Sequence, residues 1–195
     1  VAQEIEIEFK NLLTEDEFDA LTSHFKIPQS EFKSQDNHYL DTPLFLLKDQ
    51  SSALRIREKN DEFTLTLKTP LEEGLLETNQ PLSHKESLSL LKEGEFPDGE
   101  VKDVLNMLSI PISSLEHFGT LTTNRAEIEY RGGLLVFDQS SYLNKVDFEL
   151  EYEVTNREFG EKIFLELLQE LSIPVRKTEN KIKRFYREKI KQTKK

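Results

Sequence analysis

Strict alternation of charged and apolar residues in short runs limits this chain more than any other feature. In EIEIEFK, residues 4 to 10, Glu4, Glu6, Glu8 and Lys10 fall on one side of an extended strand and Ile5, Ile7 and Phe9 on the other, because successive strand side chains point to opposite faces. DFELEYEV repeats the pattern, with Asp147, Glu149, Glu151 and Glu153 against Phe148, Leu150, Tyr152 and Val154. LRIR projects Arg55 and Arg57 together, TLTLK groups Thr64, Thr66 and Lys68, and TTNRAEIEY groups Arg125, Glu127 and Glu129. Period-two patterning predicts strands at residues 3–10, 36–41, 53–59, 62–68, 75–79, 119–130, 133–138 and 146–154. Three- and four-residue apolar spacing predicts helices in TEDEFDALTSHF, SHKESLSLLKEG, GEVKDVLNMLSI and NREFGEKIFLELLQEL, and a final basic helix from near Glu179. Thr14 with Glu17 forms a capping box, and Asn156 is an N-cap. Paired glycines at Gly132 and Gly133 predict a tight hairpin, since both accept positive φ.

Two readings of the charged faces stand side by side. One is a sheet with a wet face, where carboxylates only solubilise. The other is a sheet curled into a barrel whose interior receives all the polar faces. The segregation of sign bears on the choice, because some strands supply mainly carboxylates and others mainly guanidinium or ammonium groups. A dry interior of that kind is costly, at several kcal/mol for each unpaired ion in rough terms, so it must stay wet or hold a ligand. Clustered carboxylates suit a hard divalent cation; clustered Arg and Lys suit phosphate. A phosphate chain complexed to Mg²⁺ or Mn²⁺ satisfies both.

Other features narrow the function by exclusion. A net charge of −11 argues against nucleic-acid binding, and there is no apolar run of the roughly 20 residues that a membrane span needs. Zero Cys leaves no thiolate metal site or Cys nucleophile and, with no secretory signal visible, predicts a cytoplasmic protein. His24, His84 and His117 have no ligand spacing, and His38 in HYLDTP reads as part of a strand entering a bend held by Asp41 and Thr42. Neither a G-x-S-x-G elbow nor a P-loop is present, so side chains must hold any phosphate. The basic tail KTENKIKRFYREKIKQTKK reads as a solvated helix end, with a partner-binding arm as the alternative. One domain over residues 1–195 is expected, with a helical insertion at about 80–117.

Taken in order along the chain, these motifs resemble the CYTH superfamily of triphosphate tunnel metalloenzymes, and its small single-domain bacterial members in particular. The resemblance rests on Glu6-Ile7-Glu8-Phe9-Lys10, HYLDTP, LRIR, TLTLK, Arg125, Asp138 in VFDQ, the ELE of Glu149 to Glu151, and NKIKR. It implies an α+β fold: an eight-stranded antiparallel β-barrel, or tunnel, with flanking helices. It implies metal ligation by Glu6, Glu8, Glu149 and Glu151, and phosphate binding by Lys10, Arg55, Arg57, Lys68, Arg125, Lys181 and Arg184. Lys10 and the four metal carboxylates would form the catalytic set, with Glu77 and Asp138 supporting. LLETNQPL departs from the R-x-E-x-E of relatives, with Leu75 and Asn79 flanking Glu77, and Glu4 and Glu153 extend the acidic strands as alternative ligands. The implied activity is hydrolysis of inorganic tripolyphosphate or a nucleoside or organic triphosphate with Mg²⁺ or Mn²⁺. The alternatives are an adenylate cyclase making cyclic AMP and pyrophosphate from ATP, and a non-catalytic polyphosphate- or nucleotide-binding module. The expected partner is a small-molecule triphosphate or polyphosphate, bound by a monomer or homodimer.

Overall fold

The computed structural model describes residues 2–193; Val1, and Lys194 and Lys195 at the end of the basic tail, lie outside the described residues. Eight strands follow in sequence: β1 (Ala2–Leu13), β2 (Lys33–Asp41), β3 (Ala53–Lys59), β4 (Glu62–Pro70), β5 (Leu75–Leu82), β6 (Glu116–Tyr130), β7 (Gly133–Tyr142) and β8 (Lys145–Val154). They close into a barrel in the order β1-β5-β4-β3-β2-β6-β7-β8, and the registered neighbours are antiparallel. Six helices flank them among the described residues: α1 (Glu15–His24), α2 (Leu46–Asp49), α3 (His84–Glu93), α4 (Glu100–Met107), α5 (Arg157–Glu170) and α6 (Lys181–Thr193). All eight predicted strands are present, several extended by a few residues, and the expected α+β barrel with flanking helices is the observed fold. Among the described residues no helix is long and apolar enough to cross a membrane.

Local chemistry accounts for the element ends. Thr14 and Glu17 complete the capping box of α1, Ser83 and Glu86 that of α3, and Asn156 caps α5 through the Phe159 N–H. The short α2 was not legible as a helix. It is fastened by the buried Asp41, whose carboxylate accepts the N–H groups of Thr42, Leu47 and Lys48, and by Thr42, whose hydroxyl accepts from Leu46. The bend expected after HYLDTP is thus held by the two residues assigned to it.

The β6–β7 hairpin corrects one expectation. Its positive φ values belong to Arg131 (44°) and Gly132 (84°), not to both glycines. Gly133 is required for space instead: a Cβ there would sit 2.6 Å from the Tyr152 ring and 2.7 Å from the Glu153 carbonyl oxygen.

Two compact units make up the chain: Gln35–Leu121 with the start of β1 up to Ile5, and Glu6–Ser34 with the chain from Thr122 onward. In the first, Leu40, Leu54, Ile56, Leu65 and Leu67 form the apolar strand faces and pack with Leu90 of α3 and Val101 and Leu105 of α4. In the second, Leu13, Leu135, Phe137, Leu150 and Tyr152 pack with Phe18 and Leu21 of α1 and with Phe164, Leu167 and Leu168 of α5. Full burial of each such side chain contributes about 1.5–3 kcal/mol. That burial fixes which strand face is covered, and so leaves the charged residues on the other.

Candidate functional site

In the second unit, strand register gathers the charged residues. Glu8 pairs with Glu153, Lys10 with Glu151, Asp138 with Glu149 and Arg125 with Asp138. Directly opposed residues share a face, so β1, β8, β7 and β6 present Glu6, Glu8, Lys10, Glu149, Glu151, Glu153, Asp138 and Arg125 on one side.

A buried ion network ties most of these together. Arg125 donates from Nε to Asp138 Oδ1 (2.7 Å) and from Nη2 to Asp138 Oδ2 (2.6 Å) and Glu151 Oε2 (2.9 Å). From α6, Lys181 Nζ reaches Asp138 Oδ2 (2.8 Å), Glu149 Oε1 (2.9 Å) and Glu151 Oε1 (2.5 Å). Arg184 donates to Asp147 Oδ2 (3.0 Å) and pairs with Glu149, while Lys10 pairs with Glu8. Asp138, Glu149, Glu151 and Arg184 are 4% exposed or less, so each charge depends on its partners. Among the described residues no group of three or more His, Asp or Glu side chains is set to hold a metal as it stands; the Lys181 ammonium sits where Asp138, Glu149 and Glu151 converge.

The electrostatics follow from this arrangement. Burial pushes the Glu151 carboxyl up, but Lys181, Arg125 and Lys10 outweigh it and hold it well below the usual range. Asp138 is lowered in the same way, burial being overcome by Arg125 and Lys181. Burial would lower the Lys181 ammonium, yet its three carboxylates raise it well above its ordinary value. Glu149 is raised, by burial and then by Glu151, against the pull of Lys181.

Glu153 sits at the acid-rich end of the same face. Burial pushes its carboxyl up to about 7, and Glu151, Glu6 and Glu8 add to the rise while Arg125 opposes it. A divalent cation would relieve this crowding, and the donor set is all oxygen, as a hard cation requires. The sign of the pH effect is fixed. Folded Glu153 keeps its proton up to about 7, while the unfolded carboxyl releases it near 4.5, so the stability it contributes in acid is lost as pH rises between those values. Urea unfolding of metal-free protein at about pH 5 and about pH 8 is expected to show a steeper loss for wild type than for Glu153→Gln. Parallel profiles would contradict the assignment.

In the first unit the polar face is cationic. Arg57 pairs with Asn37 and Thr64, Arg55 with Tyr39 and Thr66, and Lys68 with Glu77. Arg57 Nε donates to Asn37 Oδ1 (3.0 Å). Lys68 pairs with Glu77, Asn79 donates to Glu77 (3.4 Å) and Thr66 donates to Asn79 Oδ1 (2.7 Å). Burial pushes Glu77 up, but Lys68 and Arg55 bring it down to about 2. Glu77 lies under the charges of Lys68 and Arg55, and the Arg and Lys side chains grouped on this face are of the kind suited to phosphate oxygens.

Thus register places Glu6, Glu8, Lys10, Arg125, Asp138, Glu149 and Glu151 on one polar face of the second unit, and Arg55, Arg57, Lys68 and Glu77 on one polar face of the first. Lys181 and Arg184 were expected on phosphate; in the structure they are held by carboxylates, and the N-terminal turn of the basic helix is turned inward. Sequence reasoning missed Asn37 and Asn79, which hold Arg57 and Glu77. Both lie in step with the charged residues of their strands, and that alternation was the signal available.

Comparison with known proteins agrees with this architecture. The CYTH domain family model matches residues 4–186. The chain is 50% identical over 191 residues to YjbK of Bacillus subtilis, provisionally named a triphosphatase, covering 98% of this chain and 99% of YjbK. It is 52% identical, with a TM-score of 0.92, to a crystal structure from Bacillus halodurans provisionally named an adenylate cyclase, covering 95% of this chain and 100% of that one. A Hippeastrum protein provisionally named an adenylyl cyclase, and described as having a dominant triphosphatase activity, shares the fold at 24% identity and a TM-score of 0.74, covering 93% of this chain and 95% of its own. The ordered strand motifs, the closed barrel and these matches lead to one conclusion: the chain belongs to the CYTH domain family.

Proposed function

We propose that this protein hydrolyses a triphosphate, inorganic tripolyphosphate or a nucleoside or organic triphosphate, with a divalent metal ion, Mg²⁺ or Mn²⁺. The observation that carries the reading is the carboxylate-rich face of β1 and β8, where Glu153 is crowded by Glu6, Glu8 and Glu151. The triphosphatase name of the 50% identical YjbK supports the same activity.

Glu6 and Glu8, with Glu153 beside them, would hold the ion, and Glu149 and Glu151 would supply further carboxylate oxygens in the orientation that Lys181 gives them. When bound, the ion would neutralise phosphate charge and polarise the phosphoryl group. Lys10, Arg55, Arg57 and Lys68 bind phosphate oxygens. Asn37 orients the Arg57 guanidinium, and Asp138 holds Arg125 by a two-pronged contact so that its remaining donors point in a fixed direction. Water attacks the terminal phosphorus and the diphosphate oxygen leaves, so catalysis is positioning and charge stabilisation. The whole chain acts as a single small-molecule enzyme.

The test is a substrate screen. With Mg²⁺ or Mn²⁺ the protein is expected to release phosphate from tripolyphosphate, and to convert ATP, if it accepts it, to ADP and phosphate. Cyclic AMP with pyrophosphate would replace this reading with cyclisation, and tight metal-dependent binding without product over hours would replace it with a binding module.

A further inference from the structure

Lys181 and Arg184 reach their carboxylates only if α6 enters at one place, and the chain just before α6 is fastened with unusual completeness. Asn11 is fully buried on β1, next to Lys10 and on the opposite face. Its Oδ1 accepts the Arg176 backbone N–H (2.6 Å), and its Nδ2 donates to the carbonyls of Pro174 (3.0 Å) and Leu12 (3.1 Å). The Leu12 N–H donates to Thr178 Oγ1 (2.9 Å). The Arg176 guanidinium then closes the clasp from the side: Nη1 donates to the Leu12 carbonyl (2.8 Å) and Glu17 Oε2 (2.7 Å), and Nη2 to Glu17 Oε1 (2.8 Å). Glu17 is itself fixed, because the same Oε2 accepts the Thr14 N–H at 2.8 Å in the α1 capping box.

A strand end, a helix N-terminus and the loop at 174–178 therefore form one hydrogen-bonded unit. Of the β1 groups involved, the Asn11 side chain lies on the face opposite Glu6, Glu8 and Lys10, while the Leu12 N–H and C=O are backbone groups that point to neither face. The Thr178 bond lies three positions before Lys181, so little slack remains between the anchor and the ammonium. Without the anchor, the run from Pro174 to Lys181 could span up to about 3.5 Å per residue, and Lys181 would search a wide volume for contacts that need placement within about 0.5 Å.

We propose that Arg176, with Asn11, is a positioning residue: it fixes the entry of α6 and so delivers Lys181 to Asp138, Glu149 and Glu151. The inference rests on the triphosphatase reading for its kinetic arm alone. In that arm, Arg176→Ala lowers kcat/KM for Mg²⁺–tripolyphosphate roughly tenfold, as misplacement of a charged contact does. Lys181→Met lowers it at least as much, and the double variant lies within about twofold of Lys181→Met, since Arg176 acts through Lys181. Arg176→Lys, which keeps the charge but not the fork, falls between wild type and Arg176→Ala. Multiplicative losses in the double variant would overturn the inference. Hydrogen exchange of substrate-free protein supplies an arm independent of activity. Arg176→Ala, or Arg176→Lys if the first does not fold, speeds exchange in α6 while α5 keeps its protection. Unchanged protection of α6 would overturn the inference whatever the substrate proves to be; faster α6 exchange in a protein that hydrolyses no triphosphate would leave it standing and remove only the proposed function.

Discussion

Replacing Glu6 and Glu8 together by Gln is expected to abolish phosphate release from tripolyphosphate, a loss on the order of a thousandfold or more. The substitutions keep side-chain size and hydrogen-bonding capacity and remove two negative charges. Both residues lie on the polar face of β1, away from the core built around Leu135, Phe137 and Leu150, so folding has little reason to fail. Relief of crowding around Glu153, which both carboxylates push upward, offsets part of what is lost when Lys10 gives up its ion pair with Glu8, so the metal-free variant should keep a stability close to that of wild type. Lost turnover with retained stability is thus the expected pairing, read by a phosphate assay and urea unfolding on the same sample. Activity at wild-type level would remove both residues from the mechanism.

Asp138→Asn is expected to have the largest effect on stability. Asp138 is fully buried and accepts from both Arg125 and Lys181. Asn has nearly the same shape but no charge, so two buried cations lose a counterion. Breaking one side of such a network costs about 3–5 kcal/mol, equivalent to a fall in Tm on the order of 10 °C for a chain of this size. The contribution has a defined pH window: the folded carboxyl lies below its ordinary 3.8, so its stabilisation is present above that value and is lost as pH falls through the lower folded one. A variant within about 1 kcal/mol of wild type at neutral pH would mean that Glu149 and Glu151 alone suffice for Arg125 and Lys181.

The faces were legible because a strand has a period of two. One register error would have moved every charge on β8 into the core beside Leu150 and Tyr152, and burial forbids that. What alternation cannot show is how a helix approaches those faces. By composition Lys181 and Arg184 read as members of a solvated basic tail, because six of the residues from Lys181 to Lys191 are basic, and the family resemblance alone drew them to the site; that two of them turn inward depends on the anchor at Asn11 and Arg176, more than 160 positions apart. Gly133 was legible as a turn residue but not for its actual constraint, the Tyr152 ring, which a distant strand brings against it. The short helix after Asp41 was hidden for a related reason, since its stability comes from one carboxylate accepting three N–H groups and not from periodicity.

The central claim is that carboxylates on β1 and β8 commit this chain to metal-dependent chemistry on a triphosphate. Its most direct test is the initial rate of phosphate release from tripolyphosphate by wild-type protein before chelation, after chelation, and after Mg²⁺ or Mn²⁺ is restored. The account predicts release that vanishes with the chelator and returns with the ion; an undiminished rate in the chelated protein would contradict it.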